Sequence, residues 1–313
     1  MSLTTISPAQ KARILAEALP FIRAFHASTL IIRFGGGAMA DPVLKEGFAR
    51  DVALLRLVGM NPIIVHGGGW RIDELLRTMG IPIREHRGMR MVDEPTMNVI
   101  EMVLGEINQE LVGLINRFGA KAVGLSGQDG RFLHARRMVL PQDDGAAAAL
   151  DLGLVGDVES VDLDVIHLLL SRGFIPVIMP IGVGSDGTAY YINSDIVAGQ
   201  LARVLSAEKL ILMTNVPGVT DSEGRLAFVL TASDAEALLQ KGVVPADARP
   251  RLTAALAAVR EGVRSVHIID GGVPSALLLE VLTNSGVGTA LRSDSGPHFL
   301  ADSRSYFAAA VDS

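Results

Sequence analysis

Leu30-Ile31-Ile32-Arg33-Phe34-Gly35-Gly36-Gly37-Ala38-Met39 and Pro62-Ile63-Ile64-Val65-His66-Gly67-Gly68-Gly69-Trp70 share one design. Each begins as a short apolar run of β character and breaks into three glycines. Helical patterns follow, over Pro42–Val58 after the first and Arg71–Met79 after the second. A strand, then glycines, then a helix N-terminus makes an anion site, because free backbone N–H groups and the helix dipole point at the ligand. Glycine lets a ligand approach the main chain closely. A glycine run can also serve only as a tight turn, but two in succession, each before a helix, point to anion binding. Neither loop carries the Gly-x-Gly-x-x-Gly dinucleotide fingerprint or a Gly-Lys-Ser/Thr phosphate loop, so nucleotide chemistry would need a different cradle.

Outward from these loops the same rhythm continues. Apolar runs at Leu30–Phe34, Pro62–Val65, Ala122–Leu125, Ile175–Met179, Leu210–Met213 and Val266–Ile269 read as strands. Helical patterns lie between most of them, and the longest runs through Met97, Ile100, Leu104, Ile107, Leu111, Leu114 and Phe118. Strands alternating with helices predict an α/β fold, a three-layer sandwich around a central, mainly parallel sheet. The segment 131–161 breaks the rhythm with Gly130, Pro141, Gly145 and Gly153, and reads as projecting hairpins. No internal repeat is evident. Ser7-Pro8-Ala9-Gln10 starts a helix through Phe25, with a capping serine, proline in the first turn and glutamine where a capping box wants it. That helix either packs on its own domain or docks on another subunit. The expected organisation is an N-terminal helix and possible oligomerisation arm over 1–27, one lobe over 28–170, a second over 171–292 and a tail over 293–313.

Composition bounds the function. The 313 residues are 49% hydrophobic and 20% charged, with mean hydropathy +0.37, so this is a core-rich chain and not a disordered one. Twenty-eight Lys and Arg against 34 Asp and Glu give a net charge of −6, which argues against a nucleic-acid partner. Cysteine is absent, which excludes disulfides, thiol nucleophiles and cysteine-held metals. No apolar run reaches the roughly 20 residues of a membrane span, and the first 25 residues lack a signal-peptide core. The expectation is a cytoplasmic protein with no membrane partner.

Further motifs carry a resemblance. Glu46-Gly47-Phe48-Ala49-Arg50-Asp51-Val52, Val65 through Gly69 with Ile72-Asp73-Glu74-Leu75-Leu76, Gly88-Met89-Arg90, Glu101-Met102-Val103-Leu104, Gly124 through Gly130, Pro176-Val177-Ile178 and His267-Ile268-Ile269-Asp270 together resemble the amino-acid kinase family. Within it the likeness is to the branch that phosphorylates N-acetyl-L-glutamate in arginine biosynthesis, and it runs from about Pro8 to Leu291. The resemblance implies an acyl-amino-acid lobe, a nucleotide lobe, and attack of the substrate γ-carboxylate on ATP to give an acyl phosphate. It implies ATP with Mg²⁺ as its complex, an acidic small-molecule substrate and a homo-oligomer, dimer or hexamer; no residue is assigned to a resident metal.

Carried onto this chain, the resemblance puts Gly35 and Gly36 on the transferring phosphate and Gly67, Gly68, Gly69, Arg90 and Asn193 on the substrate. Arg33, Asp195 and Arg251 fall on the catalytic positions. Thr214, Val216 and Gly218 fall on the nucleotide turn. His267, Glu280, Gly286 and Gly288 match the pattern through which arginine acts as an effector. His66 reads as a hydrogen-bonded support for its glycine loop and not as a general base. For Glu280 a surface helix position is the plain alternative, and for Asp195 a helix N-cap.

The departures cluster at the chemistry. Arg33 and Arg251 stand where the family has lysine, and Ala246-Asp247-Ala248 replaces Gly-Gly-Met. Tyr191 replaces asparagine, Trp70-Arg71 replaces Pro-Gln and Thr214-Asn215 replaces Thr-Asp. Arginine keeps the charge but spreads it over a larger plane. These changes leave two rivals open: a catalytically inactive or re-purposed paralogue that binds a small ligand or a kinase partner, and a kinase for a different carboxylate.

Overall fold

The computed structural model describes residues 7–86, 88–140, 150–220, 223–244, 248–283 and 286–294. Most of the 293–313 tail, the Pro141–Gly145 turn, and Ala246 and Asp247 lie outside the described residues.

The six runs read as strands are the six parallel strands of one sheet. They are β1 (Thr29–Phe34), β2 (Asn61–His66), β5 (Ala122–Ser126), β8 (Ile175–Met179), β11 (Lys209–Thr214) and β13 (Ser265–Asp270). Side chains alternate between two cores. Leu30, Ile32 and Phe34 enter one, while Ile31, Ile63 and Val65 enter the other. A strand buried on both faces needs apolar residues at every position, which is why these strands read as continuous runs.

Helices α2 (Pro42–Leu57), α3 (Gly69–Thr78), α4 (Glu94–Arg117) and α9 (Ala276–Leu282) cover the first face. Helices α5 (Asp164–Ser171), α6 (Ser194–Val204), α7 (Ala232–Lys241) and α8 (Arg249–Arg260) cover the second. This is the expected three-layer sandwich. The Phe34 ring stacks on Phe48 of α2 at 3.8 Å between centroids, which ties the first strand to its crossover helix.

Two strands extend the sheet at one side: β14 (Thr289–Arg292) lies antiparallel to β13, and β12 (Val229–Thr231) pairs with β14 at the edge. The full order is β12-β14-β13-β11-β1-β2-β8-β5. Strand β8, which follows the expected lobe boundary at 170, lies between β2 and β5, so the sheet is continuous across that boundary.

The segment 131–161 does form a hairpin, from β6 (Leu133–Leu140) and β7 (Leu150–Val161). With β9 (Ile181–Val183) and β10 (Ala189–Tyr191) it closes a small four-stranded barrel. A short hairpin, β3 (Glu85–His86) and β4 (Met89–Arg90), stands after α3. Helix α1 (Pro8–Phe25) starts with the expected capping box on Ser7 and Gln10. Phe25 is its one buried residue, and Ile14, Leu15 and Leu19 are 55%, 74% and 54% exposed. Among the described residues no helix is long and apolar enough to cross a membrane.

Candidate active site

The loops after β1, β2 and β11 leave the sheet at its carboxyl edge, where β1 lies between β2 and β11. Parallel α/β sheets place their ligands at such an edge. A cleft of about 430 Å³ opens there, bordered by Gly35–Gly37 on one side, Gly67–Gly69 on the other, and Tyr191, Asn193, Ser194 and Asn215. Arg33 is the charged residue among the described residues lining it.

Arg33 is fixed by three groups. Its Nε lies 2.7 Å from Asp195 Oδ1 and 3.2 Å from Ser194 Oγ, and its Nη1 donates to the Met213 carbonyl at 3.2 Å. The guanidinium lies against Gly35, where an added methyl would sit 2.0 Å from Nη1. Gly36 has φ +77, and a methyl there would meet Asn215 Oδ1 at 2.2 Å, so a side chain is excluded twice over. Asn215 Oδ1 accepts the Gly37 N–H and ties the first cradle to the turn after β11.

Asp195 is not the N-cap of α6. That role falls to Asn193, whose Oδ1 accepts the Asp195 N–H at 2.8 Å. Asp195 thereby stays free to hold Arg33. In the second cradle the Gly67 N–H is already spent on the Phe34 carbonyl at 3.0 Å, so Gly67 borders the cleft without offering its amide.

Arg90 is 10% exposed and pairs with Asp73 of α3. It is not a solvated surface charge, and it is not among the residues that line the cleft. Its Nη1 is buried without a hydrogen-bond partner. Such an orphaned donor costs free energy until something accepts from it. Tyr191 stands among these charges: burial pushes its phenol pKa up, and the Arg90 and Arg33 guanidiniums pull it down.

The nucleotide-turn residues are held together but turned inward. Thr214 is 1% exposed, and its hydroxyl accepts the Val216 N–H at 3.1 Å. Gly218 has φ +145 and packs where a methyl would meet Thr289 Oγ1 at 2.5 Å. Arg251 lies in the first turn of α8, a helix packed on α6, and is not among the residues that line the cleft.

The four effector candidates meet away from the cleft. Glu280 is 8% exposed, not a surface residue. Its Oε1 accepts from His267 Nδ1 at 2.6 Å and its Oε2 accepts the Val287 N–H at 2.9 Å. A methyl on Gly286 would touch that carboxylate at 3.0 Å, and one on Gly288 would clash with the Ile268 carbonyl at 2.0 Å. Lys209 Nζ lies 3.1 Å from His267 Nε2 and 4.9 Å from the Phe25 ring centroid. Burial, reinforced by Lys209, lowers the His267 pKa to about 4. The chain of groups is therefore ammonium, neutral imidazole, carboxylate.

Sequence reasoning missed Asp73, Ser194 and Asn108. Asp73 stood inside a quoted motif without a role. The other two carry no local signal, because their partners lie far away in the chain.

A parallel sheet with two main-chain cradles and a clamped cation at its carboxyl edge defines an α/β protein built to hold anions. The chain belongs to the amino acid kinase family, whose model matches residues 28–270. It is 51% identical to the acetylglutamate kinases of Burkholderia mallei (strain SAVP1) and Burkholderia pseudomallei (strain K96243), covering 94% of this chain and 98% of theirs. Among solved structures it resembles N-acetylglutamate synthase from Neisseria gonorrhoeae, complexed with coenzyme A and N-acetyl-glutamate. That match has TM-score 0.80 and 25% identity, over 91% of this chain and 64% of that one. Carbamate kinase from Giardia lamblia bound to AMP-PNP matches at TM-score 0.61 and 15% identity, over 86% and 99% of the two chains.

Proposed function

We propose that this chain is a cytoplasmic kinase that phosphorylates the γ-carboxylate of N-acetyl-L-glutamate with ATP·Mg²⁺. The observation that carries the reading is the meeting of Arg33, held by Asp195 at 2.7 Å, with both glycine cradles in one cleft. The likeness to acetylglutamate kinases over 94% of the chain supplies the substrate.

In this reaction a carboxylate oxygen bonds to the γ-phosphorus while the bridging oxygen departs with ADP. No proton need move, so no strong base is required. The protein positions the groups and offsets charge on the transferring phosphoryl. The first cradle and Arg33 face that phosphoryl, and the second cradle faces the substrate carboxylates. Arg90 exchanges Asp73 for the substrate α-carboxylate, which satisfies its orphaned Nη1. Thr214, Val216 and Gly218 shape the turn against which the nucleotide lies. The family resemblance makes Arg251 the second cation, although it sits in α8 outside the cleft lining. Mg²⁺ arrives with the triphosphate and neutralises part of its charge.

A hydroxamate assay tests the reading. Acyl phosphate should form with N-acetyl-L-glutamate at saturating ATP·Mg²⁺, and L-arginine should inhibit it through the Lys209–His267–Glu280 cluster. Tight ATP binding without acyl phosphate, with this or any other carboxylate, would leave the inactive paralogue as the answer.

A further inference from the structure

His66 ends β2, has no exposed surface, and stands immediately before the second cradle. Its two ring nitrogens have different partners. Nδ1 lies 2.9 Å from the Gly67 carbonyl oxygen, and Nε2 lies 3.1 Å from Asn108 Nδ2.

The Asn108 partner fixes the tautomer. Asn108 Nδ2 also lies 2.8 Å from the Val177 carbonyl oxygen. A carbonyl can only accept, so the amide nitrogen, and not the amide oxygen, must face Val177. The same nitrogen gives its other hydrogen to Nε2. Nε2 is therefore an acceptor, Nδ1 carries the proton, and that proton goes to the Gly67 carbonyl. Burial lowers the pKa of this ring to about 4, so it stays neutral at the pH where the reaction runs.

We infer that His66 and Asn108 are positioning residues that lock the Gly67–Gly68 peptide with its N–H turned toward the cleft. In a trans peptide the carbonyl and the N–H point in opposite directions, and no described peptide bond is cis. Holding the Gly67 carbonyl on the buried ring therefore aims the Gly68 N–H the other way. That amide matters because Gly67's own is spent on Phe34. Gly68 is the N-cap of α3 and, being glycine, gives that helix no side-chain cap.

A peptide between two glycines turns over at little steric cost. A flip would present a carbonyl where an anion needs a donor, and the cradle would repel its ligand. Helix α4 closes the site from behind. Leu104 and Ile107 fill the space a Gly68 methyl would need, at 2.8 and 3.1 Å, and Asn108 lies on the same helix face. This inference rests on the proposed reading that the second cradle binds substrate carboxylate.

Two substitutions separate positioning from packing. His66→Asn puts an amide nitrogen near the place of Nδ1 and keeps a donor for Gly67 but leaves a void. His66→Phe fills the volume and has no donor. The KM for N-acetyl-L-glutamate should rise roughly tenfold or more in His66→Phe, with kcat changed much less, and stay near wild type in His66→Asn. Thermal stability should rank the two the other way round. Activity that follows the stability order would overturn the inference. Independently, a long-range ¹H–¹⁵N spectrum of the unliganded chain should show His66 protonated on Nδ1. A ring protonated on Nε2 would sink the inference even if the kinase is active. An inactive wild type with Nδ1 protonated would instead strike the proposed reaction.

Discussion

At the scale of single residues, Arg33 and Gly35 form one device. The guanidinium can lie against the cradle only because position 35 has no side chain: a methyl would come within 2.0 Å of Nη1. Arg33→Ala should lower kcat by roughly 10²–10³, the usual cost of losing a transition-state donor. Gly35→Ala should approach that loss by displacing the guanidinium. In an Arg33→Lys background the clashing Nη1 is gone, so Gly35→Ala should cost much less there. A double-mutant cycle measures the coupling; additive effects would mean that Arg33 and Gly35 act separately. Of this device the sequence revealed the two residues and their spacing. Asp195, which the family resemblance set beside Arg33 among the catalytic positions, is the carboxylate that holds the arginine.

At the scale of elements, α1 keeps one apolar face exposed. Its capping box is complete, yet Ile14, Leu15 and Leu19 face outward. Its inner face is covered, since Ala18, Phe21 and Ile22 pack on the first core. One side of this helix thus packs on its own domain, and the other side is exposed. If α1 docks on a second copy, Leu15→Glu with Leu19→Glu should lower the mass measured by light scattering while leaving the monomer folded. An unchanged mass would assign the outward leucines no role in association. The parallel strands were legible because each is a continuous apolar run. Strands β12 and β14 were not, because each is short and their pairing is settled by where β13 lies and by each other.

At the scale of the whole molecule, buried titrating groups shape the response to acid. The His66 and His267 pKa values are lowered by burial to about 4, against 6.5 in an unfolded chain. As pH falls from 6.5 toward 4, the unfolded state takes up protons the folded state refuses, and stability drops. Asp51 works in the opposite sense. Burial raises its pKa from 3.8 to about 6, so the folded state takes up its proton first and gains stability as pH falls from 6 to 3.8.

Two histidines, joined by the lowered Glu280 carboxyl, against one aspartate leave a net loss of stability on acidification. Urea midpoints at pH 7.5, 5.5 and 4.5 should fall in that order. Asp51→Asn removes the offset and should make the fall steeper. A midpoint flat across the range would mean that the two rings are charged in the folded protein.

The chain alone determined the six parallel strands, the two cradles, the capping box of α1 and the mixed hairpin region. Each is a local pattern: side-chain alternation, a glycine run before a helix, or a proline and serine at a helix start. Tertiary structure decided the rest. It closed Arg33 onto Ser194 across 161 positions and Asn108 onto His66 across 42, buried Glu280 beside His267, and turned the Gly67 amide into the sheet. Hydrogen bonds and ion pairs of this kind depend on which elements the packed sheet makes neighbours, and no periodicity along the chain records that.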